Sequence, residues 1–471
     1  MATPWLSESE DGTWAVPAFV DRHCHPLFAE RESSALDLTG CKTVEATIEA
    51  LRAHLTANPG TQWLDAAPFE KSMSNAFLAT TLDEVSRDVV ITLHSSDRHA
   101  LWVNSAALEI AGLLDSVPIL VDGEVVCDSN GEASGLLLEW SAMKLVLDMQ
   151  PLPSLQQDVE TLEHAQRRLL AAGIVAMSDA WIDPGMGEVY LEASRQGKIL
   201  MPVELWVRVS QIDLAGQLAY LESLLRQRDL AGNDHLICVA GVKIFLDGVL
   251  TSRSAALLEP YRDGSYGDLI WSNEEIDELL ERVSGIDPRL RPHFHAVGDA
   301  AVRQATEAIS RAKSAGIWTG SRESVVAHAE LVSKSDATRL SELAVEVVIS
   351  PQWLVANDER QFLSEILSEA TFIRLGDFSQ MLDAGVTLTY GSDWPVSRPA
   401  PLDAVIAGAK HLRALGYALE AALEASWNIA SAQALGATPK QQFLQLTQNP
   451  LEVSRSDLDA LQDLLISIPS L

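Results

Sequence analysis

From Ala172 onward the chain repeats one arrangement, a short apolar or β-branched run followed by a stretch with helical spacing. The runs are Gly173–Trp181, Met201–Val209, Leu236–Gly248, Leu290–Asp299, Ser324–Leu331, Val345–Trp353 and Gly385–Val396. Between them lie patterns such as "EEIDELLERVSG" and "DAAVRQATEAISRAKSAG". Strands that read almost continuously apolar are buried on both faces, and alternation with helices makes them parallel. Adding Trp14–His25 at the front makes eight strands, the number that closes a (β/α)8 TIM barrel. A doubly wound open sheet is the competing architecture. No glycine-rich nucleotide loop follows any of these runs, which favours the barrel.

The first and second strands are separated by far more chain than one crossover helix uses. Residues 16–34 and 153–438 are therefore assigned to the barrel, and 35–152 to a large insertion after the first strand. Within the insertion, "VPILVDGEVVCDSNGEASGLLLE" reads as a hairpin, with Asp122-Gly123 and Asn130-Gly131 as turn signals. An insertion at the C-terminal end of a barrel strand lies over the place where barrels build their sites, so it is a candidate lid or substrate-recognition element. Residues 1–15 and 439–471 read as a reduced accessory β region at the termini, the latter carrying a strand-like run and an amphipathic helix.

Charge excludes one class of partner. With 66 acidic against 34 basic residues and a net charge of −32, the chain lacks the clustered cations that phosphate backbones require. No apolar run approaches the roughly 18 residues of a membrane span, and the start lacks the pattern of a secretory leader. The four cysteines form no CxxC and no disulfide-like spacing, which fits a reducing, cytoplasmic setting. The expected partner is a small-molecule substrate, with a homodimer left open.

Histidines and acids gather at the ends of the runs. His23 and His25 close the first, Lys243 and Asp247 lie on the fourth, His293 and His295 on the fifth, His328 on the sixth and Asp393 on the eighth. The C-terminal ends of barrel strands converge on one mouth. Imidazoles and carboxylates with few thiolates suit Zn²⁺ or a similar divalent ion with open coordination positions. Asp21 shares the strand parity of His23 and His25. Each of these residues alone could be an ordinary core or turn residue; their joint placement is what points to a site. Trp353 and Trp394 fall at strand ends, where they could pack on an apolar substrate.

The wording of these stretches resembles a known family. "FVDRHCHP", "SSDRHALWVNSAAL", "GEASGLLLE", "VKIFLDGVLTSRSAAL", "HFHAVGDAAV", "VAHAEL", "SPQW" and "YGSDWPV" look like the amidohydrolase superfamily of metal-dependent hydrolases. They are nearest its branch containing N-substituted formamide deformylase. The resemblance implies one or two divalent ions, Zn²⁺ by expectation. His23 and His25 would hold the more buried ion and His295 and His328 the second. Lys243, carboxylated on its side-chain nitrogen, would bridge them. Asp393 would touch the first ion, accept a proton from the attacking hydroxide and pass it to the leaving amine. His99, Trp102 and Asn104 lie in a family-like stretch of the insertion and either line a substrate pocket or hold the insertion together. Asp247 would orient a ligand or the substrate amine, and His293 falls outside the family motif.

The implied activity is hydrolysis of an amide-type C–N bond that is not a peptide bond, in an N-acyl or N-formyl amine. The alternatives are an ester, lactone or cyclic-amide hydrolase of the same superfamily, or an inactive binding homologue. Deamination fits less well, because deaminases of the superfamily generally lack the bridging lysine. Relatives usually begin with more β-strand than precedes Val16, so the accessory β region is expected to be reduced.

Overall fold

A computed structural model describes every residue except 1–4, 9–11, 34, 70–72, 74–76, 96–99, 121–122, 152, 231–234, 319–322, 356–357, 432–442, 447, 455–457, 464–465 and 468–471. The chain divides into two compact units, one of residues 1–27 with 155–471 and one of residues 28–154.

The larger unit is built on eight parallel strands, β1 (Phe19–Cys24), β2 (Ile174–Ile182), β3 (Val203–Val209), β4 (Ile237–Phe245), β5 (Arg291–Ala296), β6 (Val325–His328), β7 (Glu346–Ile349) and β8 (Thr387–Tyr390). Each pairs with the next in sequence, so the sheet runs from β1 to β8 without a reversal. The fold is a (β/α)8 barrel. Trp206, Ala240, Val325, Ala327 and Val348, on four different strands, cluster together inside it. Helices return the chain between strands. Asn273–Ile286 opens on a capping box of Ser272 and Glu275 and buries Ile276, Leu279, Leu280 and Val283, an i, i+3, i+4, i+7 stripe. The last seam, between β8 and β1, is joined just beyond the strand ends. Asp393 N–H donates to His23 O (2.8 Å) and His25 N–H to Trp394 O (2.9 Å).

The front run does not form one strand. Trp14–Pro17 pairs antiparallel with Phe443–Leu446 in a small four-stranded sheet, and only Phe19–Cys24 enters the barrel. Pro17 has no N–H to extend a ladder, and its carbonyl accepts from the buried Trp427 indole (3.1 Å). Where an amphipathic helix is expected in the tail, the described residues form a short helix, Pro450–Ser454, and a 3₁₀ turn, Leu458–Asp463.

The smaller unit is a six-stranded mixed sheet in the order Leu36–Asp37, Trp63–Phe69, Val90–Ser95, Ala100–Val103, Ala133–Leu138, Glu124–Cys127. Its last two strands are the expected hairpin, turned at Asn130-Gly131 where Gly131 has φ +85°. Asp122 lies outside the described residues. One buried cluster includes Leu51, Phe69, Ile91 and Trp102, and another Leu101, Leu108, Leu137 and Val146. Among the described residues no helix is long and apolar enough to cross a membrane.

Candidate metal centre

Strand alternation breaks at the end of β1. Asp21 pairs with Met177 but Cys24 with Asp179, so β1 carries an extra residue there. Arg22 reaches across the barrel to Glu346 on β7 (2.8 and 3.0 Å) and Glu204 on β3 (3.0 Å). Asp21 does not join the imidazoles. Its Oδ1 accepts the backbone N–H of His23 (3.2 Å) and Ser392 (3.1 Å), tying the seam. Burial pushes its pKa up to about 7 against those hydrogen bonds.

His23, His25 and Asp393 converge, with one donor atom from each lying within 4.8 Å of the others. Both imidazoles aim at one oxygen, with Asp393 Oδ1 3.0 Å from His25 Nε2 and 3.4 Å from His23 Nε2. Bonds of about 2 Å to a tetrahedral ion place its ligand atoms roughly 3.3 Å apart, so this donor set fits a shared cation. Burial alone would raise the Asp393 pKa, but hydrogen bonds with His23 and His25 carry it well below the usual range. Burial and the neighbouring Lys243 lower His23 to about 3. Near pH 7 the site therefore offers an ionised carboxylate beside a neutral imidazole, the forms that bind metals.

A second group continues from the first. The His328 ring lies 4.8 Å from His23 and 4.7 Å from His295, between centroids. Burial and His295 hold His328 well below its ordinary pKa. Lys243 pairs in register with His293 and Phe245 with His295, which sets the lysine beside both histidines of β5. Lys243 is fully buried, and its Nζ has no hydrogen-bond partner. Burial lowers its pKa to about 7, against the opposing pull of Asp393. Such an amine is half neutral near pH 7 and wants an acidic partner.

Backbone strain sits at the same place. His328 (φ +76°), Ala329 (φ +44°) and Asp393 (φ +53°) are in the left-handed region that non-glycine residues rarely adopt. Backbone hydrogen bonds from Ala329 to Ala296 (2.9 Å) and from Asp393 to His23 (2.8 Å) hold two of them there. Strain retained at side chains that converge is a mark of function.

The remaining expected residues separate. Asp247 is buried and accepts the backbone N–H groups of Ala256, Val297 and Gly298 at 2.9–3.0 Å, while its Oδ1 lies 3.4 Å from His295 Nδ1. It shapes the loop after β5 beside that histidine. The Trp353 ring stacks on His328 at 5.7 Å and 8°. Trp394 is buried under Arg168, 5.8 Å from its ring, and contributes its carbonyl to the His25 backbone. Trp102 is 1% exposed between Phe69 and Phe77, with its indole N–H on Leu78 O, and Asn104 is fully buried and caps helix Ser105–Ile110. Both are interior residues of the smaller unit, and neither presents a surface for substrate. His99 lies outside the described residues.

Sequence reading missed the surroundings of the histidine pair. Asp179 ends its pairing with β1 at Cys24 and receives the Tyr190 hydroxyl at 2.7 Å. Burial raises it to about 6 against the opposing effects of His25 and Tyr190. Its position at a strand end was the available signal. His293, expected to pack in the core or support the site, has its Nε2 2.8 Å from His23 Nδ1. Trp181 and Phe245, 5.3 Å apart, form an aromatic pair beside His25 and His295.

An eight-stranded parallel barrel with neutral imidazoles, an ionised aspartate and a buried lysine at the ends of its strands has the make-up of a metal-dependent hydrolase. The chain belongs to the amidohydrolase family, whose sequence model matches residues 11–419. It is 25% identical over 419 residues to N-substituted formamide deformylase of Arthrobacter pascens, covering 83% of this chain and 72% of that protein. It is also 25% identical over 434 residues to the protein LONG AFTER FAR-RED 3 of Arabidopsis thaliana, covering 85% and 69%. In fold it is similar to an uncharacterized metal-dependent hydrolase from Pyrococcus furiosus, with a TM-score of 0.72, 21% identity and coverage of 93% and 88%. The protein is a metal-dependent hydrolase, and its family implies a divalent ion.

Proposed function

We propose that the protein hydrolyses an amide-type C–N bond, in an N-formyl or other N-acyl amine, at a site built from His23, His25, Lys243, His295, His328 and Asp393. The observation that carries this reading is the buried Lys243 amine, left without a hydrogen-bond partner beside a cluster of imidazoles. A buried ammonium with no partner is costly. Its neutral form adds CO₂, with a new N–C bond and loss of one proton, to give a carbamate whose two oxygens can bind cations. His23, His25 and Asp393 would hold one Zn²⁺ and His295 with His328 another, the Lys243 carbamate between them. Ions bound there lower the pKa of water toward neutrality and polarise a carbonyl oxygen.

Asp393 does the proton work. Held ionised by its two histidine partners, it is in the form that can accept the proton of the attacking water and return it to the nitrogen of the leaving amine. Trp353, Trp181 and Phe245 supply apolar surface around the reacting carbonyl. The similarity to N-substituted formamide deformylase supports the amide reading over esters and lactones.

Metal analysis followed by a panel of N-formyl, N-acyl, lactone and ester substrates on the Zn²⁺-loaded, bicarbonate-treated protein tests this. Turnover of N-formyl or N-acyl amines is expected. Turnover of lactones or esters alone would replace the reading, and absence of stoichiometric metal after loading would remove it.

A further inference from the structure

The two histidines of the pair face different supports. An imidazole that binds a cation through Nε2 carries its proton on Nδ1, and that proton needs an acceptor. For His23 the acceptor is another ring, His293 Nε2 at 2.8 Å. His25 Nδ1 is buried with no hydrogen-bond partner, and an oxygen of Asp179 lies 3.9 Å away.

Asp179 is held as a fixed acceptor. It is 0% exposed, as is Tyr190 on helix Met186–Arg195. The Tyr190 hydroxyl donates to Oδ2 at 2.7 Å and the Trp181 backbone N–H to Oδ1 at 3.1 Å. The pairing of β2 with β3 shifts register between Asp179 and Ile182, a device that re-aims side chains. Oδ1 is the oxygen facing His25, and beyond the Trp181 N–H it keeps a second lone pair that can accept.

We propose that Asp179, anchored by Tyr190, is a positioning residue that orients the His25 imidazole for metal binding. This rests on the reading of His25 as a ligand. When Nε2 binds the cation, the Nδ1–H closes onto Asp179 Oδ1 and makes a charge-assisted hydrogen bond of about 2.8 Å. His25 thus faces a carboxylate, whereas His23 rests on a neutral ring.

Chelator competition for Zn²⁺ tests the proposal, together with the visible absorption of the Co²⁺-loaded protein, in Asp179→Ala, Asp179→Asn, Tyr190→Phe and His25→Ala. Leu191→Ala, a buried neighbour on the Tyr190 helix, reports the effect of lost stability alone. Asp179→Ala is expected to weaken Zn²⁺ roughly 10–100-fold and to change the Co²⁺ bands. Asp179→Asn keeps an acceptor oxygen and loses less, and the isosteric Tyr190→Phe loses least. Unchanged affinity and Co²⁺ bands in Asp179→Ala and Tyr190→Phe would overturn the proposal. So would a loss in them that merely follows melting temperature as it does in Leu191→Ala. If His25→Ala also binds as wild type, His25 is no ligand and both readings fail. If only His25→Ala loses the ion, the ligand stands and the role of Asp179 falls.

Discussion

Asn104 in the smaller unit and Lys243 in the barrel are both fully buried polar side chains, and they are treated in opposite ways. Asn104 makes every bond its amide can. Its Oδ1 accepts the N–H groups of Ile91 and Ala107 (both 3.1 Å), and its Nδ2 donates to Ser86 O (3.0 Å) and Val89 O (2.8 Å). Lys243 Nζ makes none. A satisfied buried group holds a fold together, whereas an orphaned one costs stability and persists where something else selects it. The same contrast separates Trp102, its indole N–H bonded within a core, from Trp353, stacked on a site histidine.

The largest effect is expected at the site. Asp393→Asn keeps the shape but cannot take a proton, and kcat should fall roughly 10²–10⁴-fold, the usual contribution of a general acid–base group. The unfolding midpoint of the metal-free protein should move little by comparison. Steady-state kinetics and denaturant titration check both, and turnover equal to wild type would break the contrast at once. Asn104→Ala should do the reverse. It strips partners from four backbone groups, one of them the helix-capping N–H of Ala107, costing roughly 3 kcal/mol. Turnover per folded molecule should stay unchanged. A drop in kcat without a drop in stability would move Asn104 into the site.

How much of this is visible in the chain depends on how local the cause is. The eight strands can be read because doubly buried strands are continuously apolar, a property of each segment by itself. His25, Lys243, His328 and Asp393 stand out because strand ends are recognisable and barrel geometry brings them to one mouth. The turn of Arg22 toward Glu204 and Glu346 is not readable, since the extra residue in β1 exists only relative to the register of β2. Nor is the separation of Trp14–Pro17 from β1, whose partner Phe443–Leu446 lies at the other end of the chain. Trp102 and Asn104 have the same letters whether they line a pocket or fill a core. Only their hydrogen bonds decide.

Lys243→Met sharpens the comparison from the other side. Removing an orphaned amine in favour of an apolar side chain of similar length should abolish turnover yet stabilise the metal-free protein, by roughly 1–3 kcal/mol near pH 7. The gain should depend on pH in a definite direction. The unfolded chain keeps the Lys243 proton up to a pH of about 10.4, the folded chain only to about 7. Between those values the unfolded state binds more protons, so wild type gains stability as pH rises, by at most about 1.4 kcal/mol per unit from this residue. The advantage of Lys243→Met should therefore shrink from pH 7 to pH 9. Denaturant titrations in CO₂-free buffer at the two pH values measure it, and a constant gap would mean the buried amine does not titrate in that window.

The smallest expected effects come from the tryptophans. Trp102→Phe leaves Leu78 O without its indole donor inside a packed aromatic cluster, a loss of about 1 kcal/mol in stability with kinetics unchanged. Trp353→Leu removes the parallel face that lies on His328, worth about 0.5–1.5 kcal/mol as a ring contact. Because that ring is only part-buried, thermal stability should change little. The loss should appear as a several-fold fall in kcat/KM or a matching fall in Zn²⁺ affinity. If KM alone rises, Trp353 acts on the substrate. If Zn²⁺ affinity falls with KM unchanged, it acts by steadying His328. Two substitutions of similar size, one read only in stability and one only in function, would show that the division drawn between Asn104 and Lys243 extends to apolar residues as well.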